Sequence, residues 1–168
     1  HFEFGWLLQY YPEIIKGILV TLELIAIGGL LGISLGIGCA WVRALGPAWL
    51  KPVVAAYVEL IRNTPFLIQL FFIFFGLPSL GLQLPELTAA NLAMVINLGA
   101  YSCEIIRAGI QATPKGQFEA GESLAMTRFE TFRHVVLVPS LQRIWPALSS
   151  QVVIVMLGSS IVSQIAAE

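Results

Sequence analysis

The sequence predicts an all-helical integral membrane protein, and three observations carry that expectation. Apolar residues make up 57% of the 168 and charged residues 11%, against about 45–50% and about 25% in ordinary soluble domains. The mean hydropathy is +0.83, and so few charges could not cover a soluble core of this size. The charge-free runs are continuously apolar, whereas lipid-facing barrel strands alternate, so helices are favoured. The net charge of −1 and the lack of a basic tract argue against nucleic acid as a partner. Cys39 and Cys103 both lie in apolar runs and suggest neither a disulfide framework nor a metal site. A cleaved secretory signal is not expected, because the first residues lack a basic segment followed by an apolar one.

A helix needs about 20 apolar residues to cross the hydrocarbon. Four stretches meet that need, with the first and third extended past flanking charges: Leu24–Val42, Asn63–Pro85, Leu87–Cys103 and Ile144–Ala167. The first carries Gly28, Gly32 and Gly36, a doubled GxxxG that predicts close helix packing. Pro12, Pro47 and Pro52 punctuate its two ends. Eight of the nine Lys and Arg residues fall between spans one and two or between spans three and four. By the positive-inside tendency that face is cytoplasmic, and the N-terminus is outside. Starting at His1 and stopping at Glu168, the sequence reads as a partial chain. No repeat or soluble domain interrupts it, so residues 1–168 are one domain.

Between spans three and four, Arg107–Arg143 is too polar to cross. Phe118, Ala125, Phe129, Phe132 and Val136 recur at steps of three, four and seven, opposite Glu119, Glu122, Glu130 and Arg133. That pattern predicts an amphipathic helix, or a pair of short ones. An interfacial helix would be richer in Lys and Arg, so docking on a soluble partner is favoured.

Polar residues inside spans are costly in lipid and should face the bundle interior. The candidates for a pathway are Glu23, Gln69, Asn97, Tyr101, Ser102, Glu104, Ser149, Ser150, Gln151, Ser159 and Ser160. The plainer alternative for each serine is a bond to its own helix backbone. Glu104 with Arg107, and Glu59 with Arg62, stand three apart and can form intrahelical ion pairs. Neither a phosphate-binding G-x-x-x-x-G-K-[S/T] nor a nucleophile–base pair is present; the sequence has no Asp at all. No catalytic residue, metal or cofactor is expected.

Four blocks then carry a family resemblance. Glu119-Ala120-Gly121-x-x-x-Ala125, followed by Val135-x-Leu137-Val138-Pro139, resembles the EAA loop of ABC-importer permeases, E-A-A-x-x-x-G with a later I-x-L-P. Glu59–Phe72 is similar to the E-x-x-R-G-T-P-L-L-x-Q-L block of the polar amino-acid branch. Gly99–Ile110 leading into Gly116-Gln117 and Thr21-Leu22-x-Leu24 match two further blocks. They are collinear and cover nearly the whole chain. Within the EAA loop, Gly121 stands for Ala, Ala125 for Gly and Val138 for Pro.

The resemblance implies a type I ABC-importer transmembrane core, four spans of a five-span unit, with a cytoplasmic coupling loop at about residues 112–138. It implies a non-catalytic permease for polar amino acids at a bacterial inner membrane, working by alternating access. Its partners would be a second permease, identical or paired, two ATPase subunits that bind the ATP, and an external binding protein. The coupling residues would be Gly116, Gln117, Glu119, Ala120, Gly121, Ala125 and Arg128. Glu119 would meet a basic group on the ATPase or cap the coupling helix, and the small Ala120 and Gly121 would admit close approach. Met156–Ile161 lacks the Lys and Asp that many relatives carry late in span four, so the substrate side chain stays unassigned. A self-contained secondary transporter or channel remains the alternative, and it would not need the Glu119 loop.

Overall fold

The computed structural model describes residues 4–165, all in helices and their connections. After α1 (Gly5–Gln9) come α2 (Tyr11–Leu45), α3 (Lys51–Arg62), and α4 (Phe66–Phe71), which runs through a π turn (Phe72–Gly76) into α5 (Leu77–Ser79). Then follow α6 (Glu86–Gln111), α7 (Lys115–Ser123), α8 (Arg128–Glu130), a second π segment (Thr131–Leu137) and α9 (Val138–Ile165). Among the described residues α2 and α6 are each long and apolar enough to cross a membrane, and α3 with Phe66–Ser79 makes a third if that bent pair is one span. At 1.5 Å per residue the 35-residue α2 is about 52 Å long, well beyond a bilayer core.

The glycine stripe of α2 sets the packing. Gly28, Gly32 and Gly36 are all buried. A Cβ built on Gly28 would lie 3.3 Å from Met94 Cβ, and one on Gly32 would lie 2.9 Å from Leu98 Cβ. One on Gly36 would collide with Ser102 Cβ and come 2.9 Å from the Cys103 nitrogen. The three partners step along α6 in the same direction and by the same four residues. Hence α2 and α6 run parallel, in close backbone approach. In contrast, α9 runs against α6: Gly109 meets Ser140 and Ile144, while Val155 packs with Ala90, Met94 and Leu98.

The second expected span is corrected in shape. Asn63–Pro85 does not begin a straight helix; α3 and the Phe66–Ser79 segment meet at 105° across Asn63–Pro65. Pro65 has no N–H to continue α3 and disfavours helical backbone at Thr64. Gln69 closes the gap: its Nε2 donates to the carbonyls of Ile61 (2.8 Å) and Thr64 (2.9 Å). Its Oε1 accepts from Asn97 Nδ2 at 3.1 Å. Tyr57 adds a second tie from α3 to α6, donating to the Ile96 carbonyl at 2.5 Å, and Gly99 leaves room for that hydroxyl.

Candidate functional site

The loop after α6 forms two short helices at an angle rather than one. Pro114 opens α7 and Leu124 closes it. Met126 N–H bonds the Gly121 carbonyl (3.1 Å) and Ala125 N–H the Glu122 carbonyl (3.0 Å), a Schellman closure. Its left-handed residue is Ala125, with φ 55°, so the turn forms here with an alanine. Thr127 then starts α8 through a capping box. Its Oγ1 accepts from Glu130 N–H (3.2 Å), and its own N–H donates to Glu130 Oε2 (2.7 Å). These bonds hold the Glu130 carboxyl below its usual range, first through the backbone N–H of Thr127, then through its hydroxyl and the charge of His134. The sequence reading missed this pair, although Thr-x-x-Glu is its written signature.

The coupling candidates divide by face. Gly116, Gln117, Glu119, Ala120 and Arg128 are exposed. Glu119 sits one turn inside α7, 3.8 Å from Lys115 Nζ, so it does not cap the helix. Gly121 is corrected from a surface position to a buried one. A Cβ there would come 2.6 Å from both Thr131 Cγ2 and Oγ1, because α7 packs on the π segment at that point. Phe118 faces a core shared by Cys39, Val58, Ile106, Ile110, Phe132 and Val136. The loop is thereby joined to the ends of α2, α3 and α6. Arg143 Nη1 donates to the Ala112 carbonyl (3.0 Å), and Thr113 and Ser140 hydroxyls lie 3.2 Å apart.

Above the loop, a cavity of about 410 Å³ opens between α3, α4, α6 and α9. It is lined by Arg62, Asn63, Thr64, Pro65, Phe66, Asn97, Tyr101, Gln151 and Ile154. Of the pathway candidates it gathers Tyr101, Gln151 and Asn97, with Gln69 bonded behind Asn97. Ser102 faces Gly36 instead, and Glu23 is exposed on α2. Ser150 donates to the Pro146 carbonyl and Ser160 to that of Leu157, the local bonding open to any helical serine. Ser149 is half-buried and does not line the cavity. The side chain of Ser159 lies outside the described residues.

Beside the cavity, Glu104 holds arginines from three helices. Arg43 Nη1 is 2.9 Å from Oε2, and Arg107 Nε is 3.0 Å from the same oxygen. Arg107 also reaches Oε1 through Nη2. Arg62 Nη1 stands 4.0 Å from Oε1, and its guanidinium lies over the Tyr101 ring, 5.9 Å from the centroid. The expected Glu59–Arg62 pair is therefore replaced: Arg62 turns inward across the helix junction, while Glu59 stays exposed. Nothing in the spacing of one helix could bring Arg43 into this cluster, since it comes from α2.

Comparisons with known proteins agree with this architecture. The family model described as binding-protein-dependent transport system inner membrane component matches residues 32–168. The chain is 36% identical over 145 residues to the glutamine transport system permease protein GlnP of Escherichia coli, covering 85% of this chain and 66% of that one. It is 36% identical over 157 residues to the L-cystine transport system permease protein TcyB of Bacillus subtilis, covering 94% and 67%. A crystal structure of an amino acid ABC transporter with histidines superposes with a TM-score of 0.83 at 37% identity, covering 99% of this chain and 78% of that chain. An inward-facing structure of the MetNI methionine ABC transporter shares the fold, with a TM-score of 0.74 at 21% identity. The chain belongs to the family of binding-protein-dependent transport system inner membrane components, the multi-pass permeases of ABC transporters.

Proposed function

We propose that this permease imports polar amino acids, with two copies or two paired permeases bound to two ATPase subunits and fed by an external binding protein. The similarity to glutamine and cystine permeases and to the transporter solved with histidines supports the substrate class. One observation carries the coupling role: α7 leaves Glu119 and Ala120 exposed while Gly121 packs on Thr131 and Phe118 packs on a core shared with α2, α3 and α6. A force applied to α7 would thus reach the helices around the cavity. ATP-driven closure of the ATPases would move the paired α7 helices together and open the pathway outward; hydrolysis would reset it inward.

Residues 1–168 act as one membrane domain with four crossings, α2, the bent α3–α5 segment, α6 and α9. The parallel register of α2 with α6 supports this, because the chain must return once between them, and the reversed α9 supports the fourth. The positive-inside distribution of Lys and Arg supports an orientation with α7 in the cytoplasm and the N-terminus outside. Residues 112–138 are the coupling loop. Gly116, Gln117, Glu119, Ala120 and Arg128 form its contact surface, while Gly121 and Ala125 shape it. The pathway runs through the cavity of Asn97, Tyr101 and Gln151.

Because Ala120 is exposed, added bulk there leaves the fold intact. In Glu119→Lys/Ala120→Trp we expect the permease to reach the membrane while co-purification of the ATPase and ATP-driven uptake fall at least tenfold, a loss of about 1.4 kcal/mol in docking. Unchanged uptake and unchanged ATPase recovery would overturn the reading in favour of a self-contained transporter.

A further inference from the structure

We propose that Arg62 is a shared cation, held by Glu104 and surrendered to the α-carboxylate of an amino acid in the cavity, so that Glu104 sets how tightly the permease retains its substrate. This rests on the cavity being the substrate pathway.

The argument starts from charge. Three guanidiniums surround one carboxylate, and among the described residues no other carboxylate lies within 4.0 Å of them. Two positive charges are left over, with no second carboxylate among the described residues close enough to balance them. The three arginines are not equivalent. Arg43 and Arg107 make hydrogen bonds to Glu104 and are mostly covered, with 24% and 28% of their side chains exposed. Arg62 is 45% exposed and, at 4.0 Å, lies beyond hydrogen-bond distance. Both Glu104 oxygens already accept hydrogen bonds from Arg43 or Arg107. The planar fork of Arg62 is thus the least committed donor of the cluster, and it is the one that lines the cavity.

The opposite charge of an amino acid has a matching group nearby. One N–H of Asn97 Nδ2 is committed to Gln69; its second N–H and the acceptor Oδ1 remain. Asn97 and Arg62 line the same cavity. Together they suit an α-ammonium and an α-carboxylate, while Gln151 and Ile154 of α9 remain for the side chain. A bidentate carboxylate on Arg62 outcompetes an ion pair at 4.0 Å. Glu104 stays close enough to reclaim the guanidinium when the substrate leaves.

The test uses the permease–ATPase complex in nanodiscs without binding protein or ATP, so that only the membrane site reports. Equilibrium binding of L-glutamine and L-histidine is compared with binding of their α-carboxamides. The unsubstituted complex should prefer each acid over its amide by about tenfold or more. Arg62→Gln, which leaves the Arg43 and Arg107 pairs in place, should erase that preference. Glu104→Gln should keep the preference and bind the acids about tenfold more tightly, with slower release. A merely structural role would weaken acid and amide alike. Preference retained in Arg62→Gln overturns the proposal, as does unchanged or weaker acid binding in a well-folded Glu104→Gln. Should Glu104→Gln fail to assemble, Arg62→Gln decides alone. Gln151→Leu separates the two layers. Binding lost there, with acid preference intact in Arg62→Gln, removes the shared cation and spares the pathway. No acid binding to the unsubstituted complex, or binding unaffected by either change, removes both.

Discussion

Ala125 carries a φ of 55° at the close of α7, where a side chain costs about 1–2 kcal/mol relative to right-handed backbone. Glycine would relieve that strain but lose unfolded-state restriction worth about 0.4–1 kcal/mol. Ala125→Gly should therefore stabilise the loop by about 0.5–1 kcal/mol, raising the thermal midpoint of the purified complex slightly; a lower midpoint would contradict the assignment. Glu130 gives a pH-dependent counterpart. Its folded pKa is lowered, so the capping box contributes fully above the unfolded value near 4.3 and is lost as pH falls through the folded value. Hydrogen exchange at the amides of Thr127 and Glu130 should lose protection over that acid window. Glu130→Gln should show a much flatter profile. The stretch around both residues was legible in the sequence as an amphipathic helix or a pair of short ones, and the structure has the pair. The inward turn of Gly121 was not, since small residues suit a tight internal contact as well as a docking face and only the position of Thr131 decides.

At the scale of helices, the glycine stripe makes a sharp discrimination between neighbours. Gly36→Leu should prevent α2 and α6 from closing, because Ser102 and the Cys103 backbone occupy the space a side chain needs. Gly38→Leu, with nothing within 4 Å of its Cβ position, should leave assembly unchanged. Membrane-fraction yield and thermal midpoint compare the two, and equal effects would refute the packing. This stripe was readable because a four-residue repeat of small side chains has one main use between helices in lipid. The break at Asn63–Pro65 was only half readable. Pro65 marks an interruption, but the 105° turn is kept by Gln69, whose polarity alone pointed to the pathway. Buried amides serve backbone closure and ligand binding through the same donors, and sequence does not say which carbonyl is in reach. The charge cluster is a similar case. Spacing paired Glu104 with Arg107 along one helix, whereas Arg43 and Arg62 arrive from two others.

Over the whole molecule, the parallel course of α2 and α6 and the reversed course of α9 constrain which surfaces share a side of the membrane. Gln83, in the turn before α6, and Gln117, on α7, lie beyond opposite ends of α6 and are both exposed. Cys39 and Cys103 are buried and should stay silent toward a water-soluble thiol reagent. With an impermeant maleimide on intact cells, Gln83→Cys should label directly and Gln117→Cys only after the membrane is permeabilised. Labelling of both on intact cells would refute the orientation.

The burial of Gly121 against Thr131 has a consequence for exchanging parts between permeases. Lys115–Ser123 looks like a detachable cassette, a short helix with a clear start and stop. Its inner face, however, is cut to fit a residue that lies outside it. A chimera that imports a foreign α7 with alanine at position 121 would drive that methyl into Thr131, and the misfit would be mistaken for failed recognition of the ATPase. The smallest transferable unit therefore runs from Lys115 through Leu137, so that the helix travels with the surface against which it was shaped.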